Sequence, residues 1–221
     1  MSPPSMASAV HPQPRSPGLG IVQGAYVRIW KPGIDRMLVM ILILLSAPVM
    51  VLIAVIIRIT LGRGVFYCQS RVGQHGRPFK VLKFRTMLPD RRRTQVPISF
   101  PDRRCTHKAK NDPRHTSIGR FLRRWSLDEL PQLFNVARGQ MSLIGPRPEL
   151  LSVVARYEPW QHVRHSVKPG MTGLWQVVAR GEDPMEDRID LDIYYAQSLC
   201  PALDLKILMA TAKAVIVRHG E

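Results

Sequence analysis

Cysteine is scarce in this sequence, which carries Cys68, Cys105 and Cys200 among its 221 residues. The three are widely spaced, form no Cys-x-x-Cys pair and are odd in number. This pattern argues against a disulfide framework or a structural zinc site and indicates a reducing compartment. The seven histidines show no metal-ligand spacing beyond the weak i, i+3 pair His162 and His165, so we assign no structural metal.

Two common nucleotide-binding loops are also missing. The sequence has neither a Gly-x-x-x-x-Gly-Lys-Ser/Thr loop nor a Gly-x-Gly-x-x-Gly loop before a helix, which argues against P-loop and dinucleotide-binding folds. The N-terminus lacks the charged start and apolar run of a signal peptide. Residues 1–20 are instead rich in Pro, Ser and Gly, so we predict that residues 1–25 form a disordered lead.

Acidic residues are few. Sixteen Asp and Glu stand against 32 Lys and Arg, which gives a formal net charge of +16. An excess this large goes beyond the needs of solubility and implies a polyanionic partner. Nucleic acid, an anionic lipid surface and a phosphorylated substrate all fit that description.

Charge is absent altogether from Met37 to Ile57. The run is about long enough to cross the apolar core of a bilayer as a straight helix, and a single spanning anchor is the simplest interpretation. Ser46 and Pro48 at its centre favour a different one. Proline removes a backbone hydrogen bond and clashes with the preceding turn, while the Ser46 hydroxyl is placed to satisfy a freed carbonyl. We therefore predict a sharp kink at this point.

Both flanks of this run are basic. The charged neighbours are Arg28, Lys31 and Arg36 before it and Arg58 and Arg63 after it. Because positive residues stay on the cytoplasmic side, a segment with two basic ends prefers to return to the face it entered. We therefore predict a re-entrant membrane helix hairpin over residues 26–62. Residues 63–221 would form a cytosolic domain whose basic surface rests against anionic lipid.

The pattern after residue 63 predicts an α/β domain that is mainly helical with short strands. Residues 64–69 and 78–85 have strand character on either side of a turn at 71–77. Apolar periodicity predicts helices at 118–124, at 127–136 with a stop at Gly139, at 150–157, and twice within 190–217 with a break near Pro201. Residues 168–170 and 173–176 are typical of a turn that leads into a strand, and the polar stretch 89–116 predicts a long loop.

The second of the last two helices spans residues 203–217. It carries Lys206 and Lys213, with Arg218 directly after it, among apolar side chains. An interfacial amphipathic helix and a core-packing helix with an exposed basic face both fit this pattern.

Asp128 and Glu129 form an acidic pair in a strongly basic neighbourhood. Ser126-Leu-Asp-Glu129 matches the S-x-x-E capping box, in which the glutamate reaches back to the helix start, so a purely structural role is one alternative. The surrounding cations favour chemistry instead: Lys83, Arg85, Arg120, Arg123, Arg124 and Arg147. Among these cations we expect Asp128 to stay ionised at neutral pH. A carboxylate attacks a phosphoryl group only when its charge repulsion is screened, and clustered arginines with a divalent metal supply that screening.

Arg147 stands between Pro146 and Pro148, which restrict its backbone. Arginine suits bidentate phosphate binding better than lysine does. We therefore predict that Arg147 is a fixed phosphate ligand rather than a solvated surface charge.

Several long motifs occur in a fixed order along residues 30–217, and together they resemble the bacterial sugar transferase family. They are the Pro-broken membrane run, Arg71-Val-Gly73, Phe79-Lys-Val-Leu-Lys-Phe-Arg-Thr-Met87, Asn111-Asp-Pro-Arg114, Ile118-Gly-Arg-Phe-Leu-Arg-Arg124, Ser126 to Val136, Met141 to Glu149, Lys168-Pro-Gly-Met-Thr-Gly-Leu-Trp-Gln176 and Leu191-Asp-Ile-Tyr-Tyr195. The sequence lacks the large multi-span N-terminal region of some relatives, so we expect the minimal form of the family. It departs from the family pattern at Arg63-Gly64, where Gly-Pro is usual, and at Val178-Ala-Arg180, where Asn-Gly-Arg or Ser-Gly-Arg is usual.

The resemblance implies a monotopic enzyme on the cytoplasmic face of the bacterial inner membrane. Such an enzyme transfers a sugar-1-phosphate from a UDP-sugar to polyprenyl phosphate with Mg²⁺, releases UMP and starts the synthesis of an exopolysaccharide, O-antigen, capsule or other glycoconjugate. The resemblance makes Asp128 the nucleophile that forms a covalent phosphosugar intermediate. Glu129 would help to bind the metal or to manage protons, and the resemblance implies Asp128 and Glu129 together as the Mg²⁺ ligands.

The same resemblance assigns phosphate or substrate contacts to Lys83, Arg85, Arg123, Arg147 and Arg180. It implies inner-membrane lipid as a partner besides the two substrates, it implies no nucleic-acid partner, and it allows a homodimer.

Two other functions compete with this one. A membrane-tethered nucleic-acid-binding protein would explain the net charge and the Arg-rich stretch 91–114, but its basic residues are not interleaved with aromatic side chains and no nucleic-acid-binding motif occurs. A non-catalytic scaffold on a lipid surface would leave the acidic pair without a task. Only the transferase predicts the release of UMP from a UDP-sugar.

Overall fold

The computed structural model describes residues 24–88, 116–178 and 188–217. Three predictions lie outside the described residues. They are the N-terminal lead, except for its last two residues, the loop at 89–116, except for Thr116, and the substrate contact of Arg180. Within the described residues the protein is mainly helical with short strands, as the sequence predicts.

The charge-free run lies in one long helix. A π-helical turn, Tyr26–Trp30, leads into α1, Lys31–Thr60, which continues without a break through Pro48. The Ser46 hydroxyl donates to the carbonyl of Leu42 at 2.6 Å, one turn back, and not to the Leu44 carbonyl that Pro48 leaves without its usual donor. Among the described residues, Tyr26–Thr60 is the one helix that is long and apolar enough to cross a membrane.

One face of α1 packs on the rest of the protein, and the other face is apolar and exposed. Near its N-terminus Val39 is buried against Val81, Leu133, Val136 and Met141. Near its C-terminus three buried residues pack against Phe84 and Leu122: Met50, Ile53 and Ile57. On the opposite face the exposed fraction reaches 75% at Leu44 and 77% at Ile59. The helix therefore lies along the folded domain over most of its length.

A β-hairpin follows, as the sequence predicts. Strands β1, Phe66–Val72, and β2, Pro78–Phe84, pair antiparallel with Phe66 opposite Phe84 and Val72 opposite Pro78. The connection contains a 3₁₀ turn, Gln74–Gly76. Strand β2 packs Val81 and Phe84 into the two hydrophobic clusters that α1 joins, and the same strand carries Lys83, whose ammonium reaches Glu129 in the next segment.

The next segments surround the acidic pair. They are α2, Ser117–Arg124; a 3₁₀ turn, Leu127–Glu129; α3, Gln132–Ala137; β3, Ser142–Ile144; α4, Leu151–Val154; a 3₁₀ helix, Pro159–Ser166; β4, Gly170–Thr172; and α5, Leu174–Val178. Strands β3 and β4 are parallel neighbours that approach so closely that a Cβ on Gly170 would lie 2.1 Å from the backbone nitrogen of Gly145. The turn predicted at 168–170 does lead into a strand, since β4 begins at Gly170. The same expectation for 173–176 was wrong, because the strand precedes these residues and α5 contains residues 174–176. The helix predicted at 150–157 is shorter than expected.

Two helices close the fold, α6, Ile189–Ser198, and α7, Pro201–Val217, and they break beside Pro201 as predicted. Asp204 at the start of α7 is buried and accepts hydrogen bonds from Lys31 at the beginning of α1, from Tyr26 in the turn before it and from Tyr195 of α6, each at 2.7 Å. Helix α7 buries Ile207, while Leu205, Leu208 and Met209 are exposed. These contacts fix the N-terminal end of α1 to the C-terminal helices.

Candidate active site

The acidic pair sits in a turn whose shape rules out the capping box. Ser126 has a positive φ of 55° and makes no side-chain cap, and the chain continues as the short 3₁₀ turn Leu127–Glu129 before α3 begins after Pro131. A proline at this junction is tolerated because a helix start leaves its backbone N–H unpaired anyway. Glu129 therefore does not reach back to Ser126, and its carboxylate is available for other partners.

Glu129 gathers two cations from distant parts of the chain. Lys83 of β2 donates to its Oε1 at 2.6 Å, and Arg147 donates to the same oxygen at 3.0 Å. Burial alone would raise the pKa of Glu129, but the charges of Arg147 and Lys83 outweigh it and hold that pKa well below its ordinary value. Glu129 is therefore ionised at every physiological pH. Both contacts use Oε1, so among the described residues no side chain donates to Oε2.

Asp128 behaves differently from its neighbour. It is only 8% exposed, and this burial raises its pKa to about 6 although Lys83 pulls the value down. The nearby negative charge of Glu129 adds to the increase. The expectation that surrounding cations would dominate was wrong in its physical reason, because desolvation outweighs them. At pH 7 the carboxylate still exceeds the acid by roughly ten to one.

Arg123, at the end of α2, is close enough to Asp128 for its charge to lower the pKa of that carboxyl. Arg147 lies directly after Pro146 and is 34% exposed at its side chain, so its guanidinium is anchored to Glu129 and still reachable from solvent. The structure thus brings Lys83, Arg123 and Arg147 around the acidic pair, as the sequence predicts.

Arg85 has a different environment. Its guanidinium donates to the carbonyls of Leu61 and Gly62, at 2.5 and 3.3 Å, which are unpaired acceptors at the C-terminal end of α1. The expected phosphate ligand therefore holds the C-terminal end of α1. Its position two residues after Lys83 gave no sign of this, because the helix end that it reaches lies 23 residues earlier in the chain.

Sequence reasoning also missed a buried arginine behind the site. Arg164 is 1% exposed, forms an ion pair with Asp192 of α6 and donates to the backbone carbonyl of Arg147 at 2.8 Å. In a chain with 32 basic residues, nothing in the local sequence distinguishes this arginine from those on the surface.

A metal site can be judged only from the donors present. Among the described residues no group of three or more His, Cys, Asp and Glu is arranged to hold a metal ion. Mg²⁺, however, is usually held by one or two carboxylates together with substrate phosphates and water. The Asp128 carboxylate and Oε2 of Glu129 are oxygen donors of the required type, so the residues present fit Mg²⁺.

Comparison with known proteins gives a family. A family model described as bacterial sugar transferase matches residues 26–218. The chain belongs to the bacterial sugar transferase family. This membership confirms the expected transferase class and favours it over the nucleic-acid-binding and scaffold alternatives.

Individual relatives agree with this family. The exopolysaccharide production protein ExoY of Rhizobium meliloti is 36% identical over 196 residues, which cover 86% of this chain and 87% of the relative. The undecaprenyl-phosphate galactose phosphotransferase of Salmonella typhimurium is 42% identical over 72% of this chain but only 35% of its own length. The UDP-glucose:undecaprenyl-phosphate glucose-1-phosphate transferase of Escherichia coli is 38% identical over 83% of this chain and 39% of its own length.

Proposed function

We propose that this sugar transferase moves a sugar-1-phosphate from a UDP-sugar to a polyprenyl phosphate and releases UMP, as an early step in the synthesis of an exopolysaccharide or related glycoconjugate. The names of the Salmonella typhimurium and Escherichia coli relatives support the substrate class. The observation that carries the proposal is the acidic pair itself, in which a buried, ionisable Asp128 lies beside a Glu129 fixed by Lys83 and Arg147.

The proposed mechanism has two half-reactions. A carboxylate oxygen of Asp128 attacks the sugar-bearing phosphorus of the UDP-sugar, the bond from that phosphorus to the bridging oxygen breaks, and UMP leaves with the electron pair. An oxygen of the polyprenyl phosphate then attacks the same phosphorus, and the bond to Asp128 breaks to restore the carboxylate. The raised pKa of Asp128 reflects a poorly solvated carboxylate, which is a stronger nucleophile than one surrounded by water.

The surrounding cations reduce the repulsion between the Asp128 carboxylate and the phosphates of the substrate. An anionic nucleophile and an anionic phosphoryl group repel each other unless positive groups lie between or beside them. Lys83 and Arg147 bring two positive charges to the single charge of Glu129, and Arg123 adds a third near Asp128. The arrangement therefore has a surplus of positive charge where we place the diphosphate of the substrate.

We assign Mg²⁺ to Asp128, Glu129 and the substrate diphosphate. When bound, the ion would neutralise phosphate charge and orient the diphosphate. In this assignment Lys83 and Arg147 keep Glu129 ionised and in place, so that Oε2 remains available to the metal.

We also propose that α1 enters and leaves the membrane on the same face. Its N-terminal end is tied to the domain by Lys31 with Asp204 and by Asp35, whose carboxylate accepts from Ser142 at 2.6 Å. Its C-terminal end is tied to the same domain through Ile57 and the Leu61 carbonyl. A straight spanning helix would place these ends on opposite faces of the bilayer, which one water-soluble domain cannot contact together. The basic flanks support the cytoplasmic face as the common one.

The test is the release of UMP by the detergent-solubilised full chain, measured with a panel of UDP-sugars in the presence of polyprenyl phosphate and Mg²⁺. We expect release with a subset of the sugars, and that subset identifies the donor. Asp128→Asn should abolish it. Asp190→Asn, the same change at an exposed position of α6, is the matched control and should leave the rate unchanged. Folded protein that releases UMP from no UDP-sugar would refute the proposal.

A further inference from the structure

The backbone carbonyls of the segment Pro146–Glu149 cannot find hydrogen-bond donors within the segment itself. Two of its four residues are prolines and have no backbone N–H, so the segment cannot pair its own carbonyls as a helix or a hairpin would. Buried carbonyls need donors from elsewhere in the fold.

Four separate donors meet this need, one for each carbonyl in turn. The Pro146 carbonyl accepts from the backbone of Gly170 at 2.9 Å, and the Glu149 carbonyl accepts from the backbone of Val72, also at 2.9 Å. The two middle carbonyls accept from arginine side chains instead: that of Arg147 from Arg164 at 2.8 Å, and that of Pro148 from Arg71 at 3.2 Å. The backbone on both sides of the Arg147 side chain is therefore fixed at every residue.

Arg164 is itself held from three directions. Its Nη2 donates both to the Arg147 carbonyl and to Asp192, and its Nη1 donates to the hydroxyl of Tyr157 at 2.8 Å. The Tyr157 ring stacks on His165, with centroids 6.0 Å apart and an angle of 15° between the planes. Burial, together with the charge of Arg164, lowers the pKa of His165 to about 4, so the stacked ring is neutral and does not repel the guanidinium.

We infer that Arg164 is a positioning residue for the proposed reaction: the buried Arg164–Asp192 pair fixes the backbone of Arg147 and thereby aims the Arg147 guanidinium at Glu129 and the substrate phosphates. A neutral hydrogen-bond donor could satisfy one carbonyl. A buried guanidinium satisfies the carbonyl, the carboxylate and the hydroxyl at once, and so it locks α6 and the Pro159–Ser166 helix to the Arg147 loop.

Burying this ion pair is costly, and stability alone does not explain it, since apolar side chains of similar volume are often as stabilising. Precise placement of a phosphate ligand does explain it. A displacement of about 1 Å in a positioned group can reduce a rate on the order of 10²-fold. The inference rests on the proposed function, because it assumes that Arg147 acts on the substrate.

The first experiment does not depend on activity. Hydrogen exchange of the full-length protein in detergent is followed by mass spectrometry in peptides that contain the amides of Arg147, Glu149 and Leu150. Arg164→Met should accelerate exchange there. The matched control is Lys31→Met, which also removes the cation of a buried ion pair, with Asp204 at 2.7 Å, but has no contact with this segment; it should leave these amides unchanged. Unchanged exchange in Arg164→Met would overturn the inference, whatever the enzyme's activity.

The second experiment is a double-mutant cycle on the rate of UMP release. Arg164→Met should lower kcat/KM on the order of 10²-fold in the wild type but less than about threefold in an Arg147→Ala background, because Arg164 acts through Arg147. A general loss of folding would lower both by the same factor, and that result would overturn the inference. Should Arg164→Met fail to fold, Asp192→Asn gives a milder version of both experiments, with faster exchange at the Arg147 loop expected. A wild type that releases no UMP refutes the proposed function, while the exchange result still decides the positioning role.

Discussion

The pKa of Asp128 makes a prediction that links stability to catalysis. The folded state raises this pKa from the ordinary 3.8 to about 6, so the proton is bound more tightly in the folded than in the unfolded protein. A group of this kind stabilises the fold below the unfolded pKa, and the protein loses that contribution as pH rises through the folded value. Above pH 6 the ionised, buried Asp128 is therefore a net cost to the folded state.

The size of the cost follows from the shift. About two pKa units correspond to roughly 3 kcal/mol, an upper figure because some water reaches the site. Asp128→Asn has nearly the same shape and no charge, so it should stabilise the protein at pH 7.5 while abolishing UMP release. For a chain of this length the gain corresponds to at most about 6–12 °C in Tm. The gain should disappear below pH 4, where the wild-type carboxyl is protonated in both states.

The assay is thermal unfolding of wild type and Asp128→Asn in detergent between pH 4 and 8, with EDTA to remove divalent ions that would stabilise the carboxylate. Glu129→Gln is the matched control of opposite sign. Lys83 and Arg147 lower the pKa of Glu129 in the folded state, so its stabilising contribution is present above the ordinary glutamate pKa and is lost in acid. Glu129→Gln should therefore lower Tm at pH 7.5. If Asp128→Asn also lowers Tm there, the Asp128 carboxylate is well compensated and the reasoning fails.

Three further predictions concern the mechanism and the membrane helix. Wild-type protein with a UDP-sugar and Mg²⁺ but no lipid should gain the mass of one sugar phosphate at Asp128. An adduct on Glu129 would show that the nucleophile is assigned to the wrong residue, and UMP release only after both substrates bind would contradict the covalent route itself. Arg147→Lys should reduce the rate on the order of 10²–10³-fold, because an ammonium lacks the planar fork, and near-normal turnover would show that Arg147 is peripheral. In a cysteine-free background, cysteines at Ala25 and Gly64 should both resist a membrane-impermeant reagent added to intact cells, and labelling of position 25 from outside would exclude the re-entrant arrangement.

Much of the fold was predictable because most of its helices and strands are determined by residues that are close together in the sequence. The charge-free run, the hairpin around residues 71–77 and the break at Pro201 each depend on residues that are neighbours in sequence. The order of strand and helix around Gly173 was not predictable in this way. There the parallel pairing of β3 with β4 sets the strand, and the partners are separated by more than 20 residues.

The candidate active site was also predictable only where it depends on local sequence. The basic residues around the acidic pair could be counted from the sequence, and Lys83, Arg123 and Arg147 do lie near it. Burial could not be predicted from the sequence. It raises the pKa of Asp128 and separates Arg164 from the arginines on the surface. Arg85 was expected to contact phosphate because it lies in a basic motif, but its guanidinium donates hydrogen bonds to the carbonyls at the end of α1 instead. Charge composition indicates which partners a protein attracts, whereas tertiary packing decides which charge does which task.

The packing of α1 also explains why such a site would stand beside a membrane. Leu127 and Leu130 flank the acidic pair, and both pack into the cluster formed by Met50, Ile53 and Ile57 of α1. The turn that carries Asp128 and Glu129 thus shares a hydrophobic cluster with α1. In the proposed reaction the acceptor has an apolar tail that stays in the bilayer and a phosphate that stays at its surface. With α1 inserted in the membrane as we propose, Asp128 would meet that phosphate at a fixed depth, so that insertion of α1 would also align the second half-reaction.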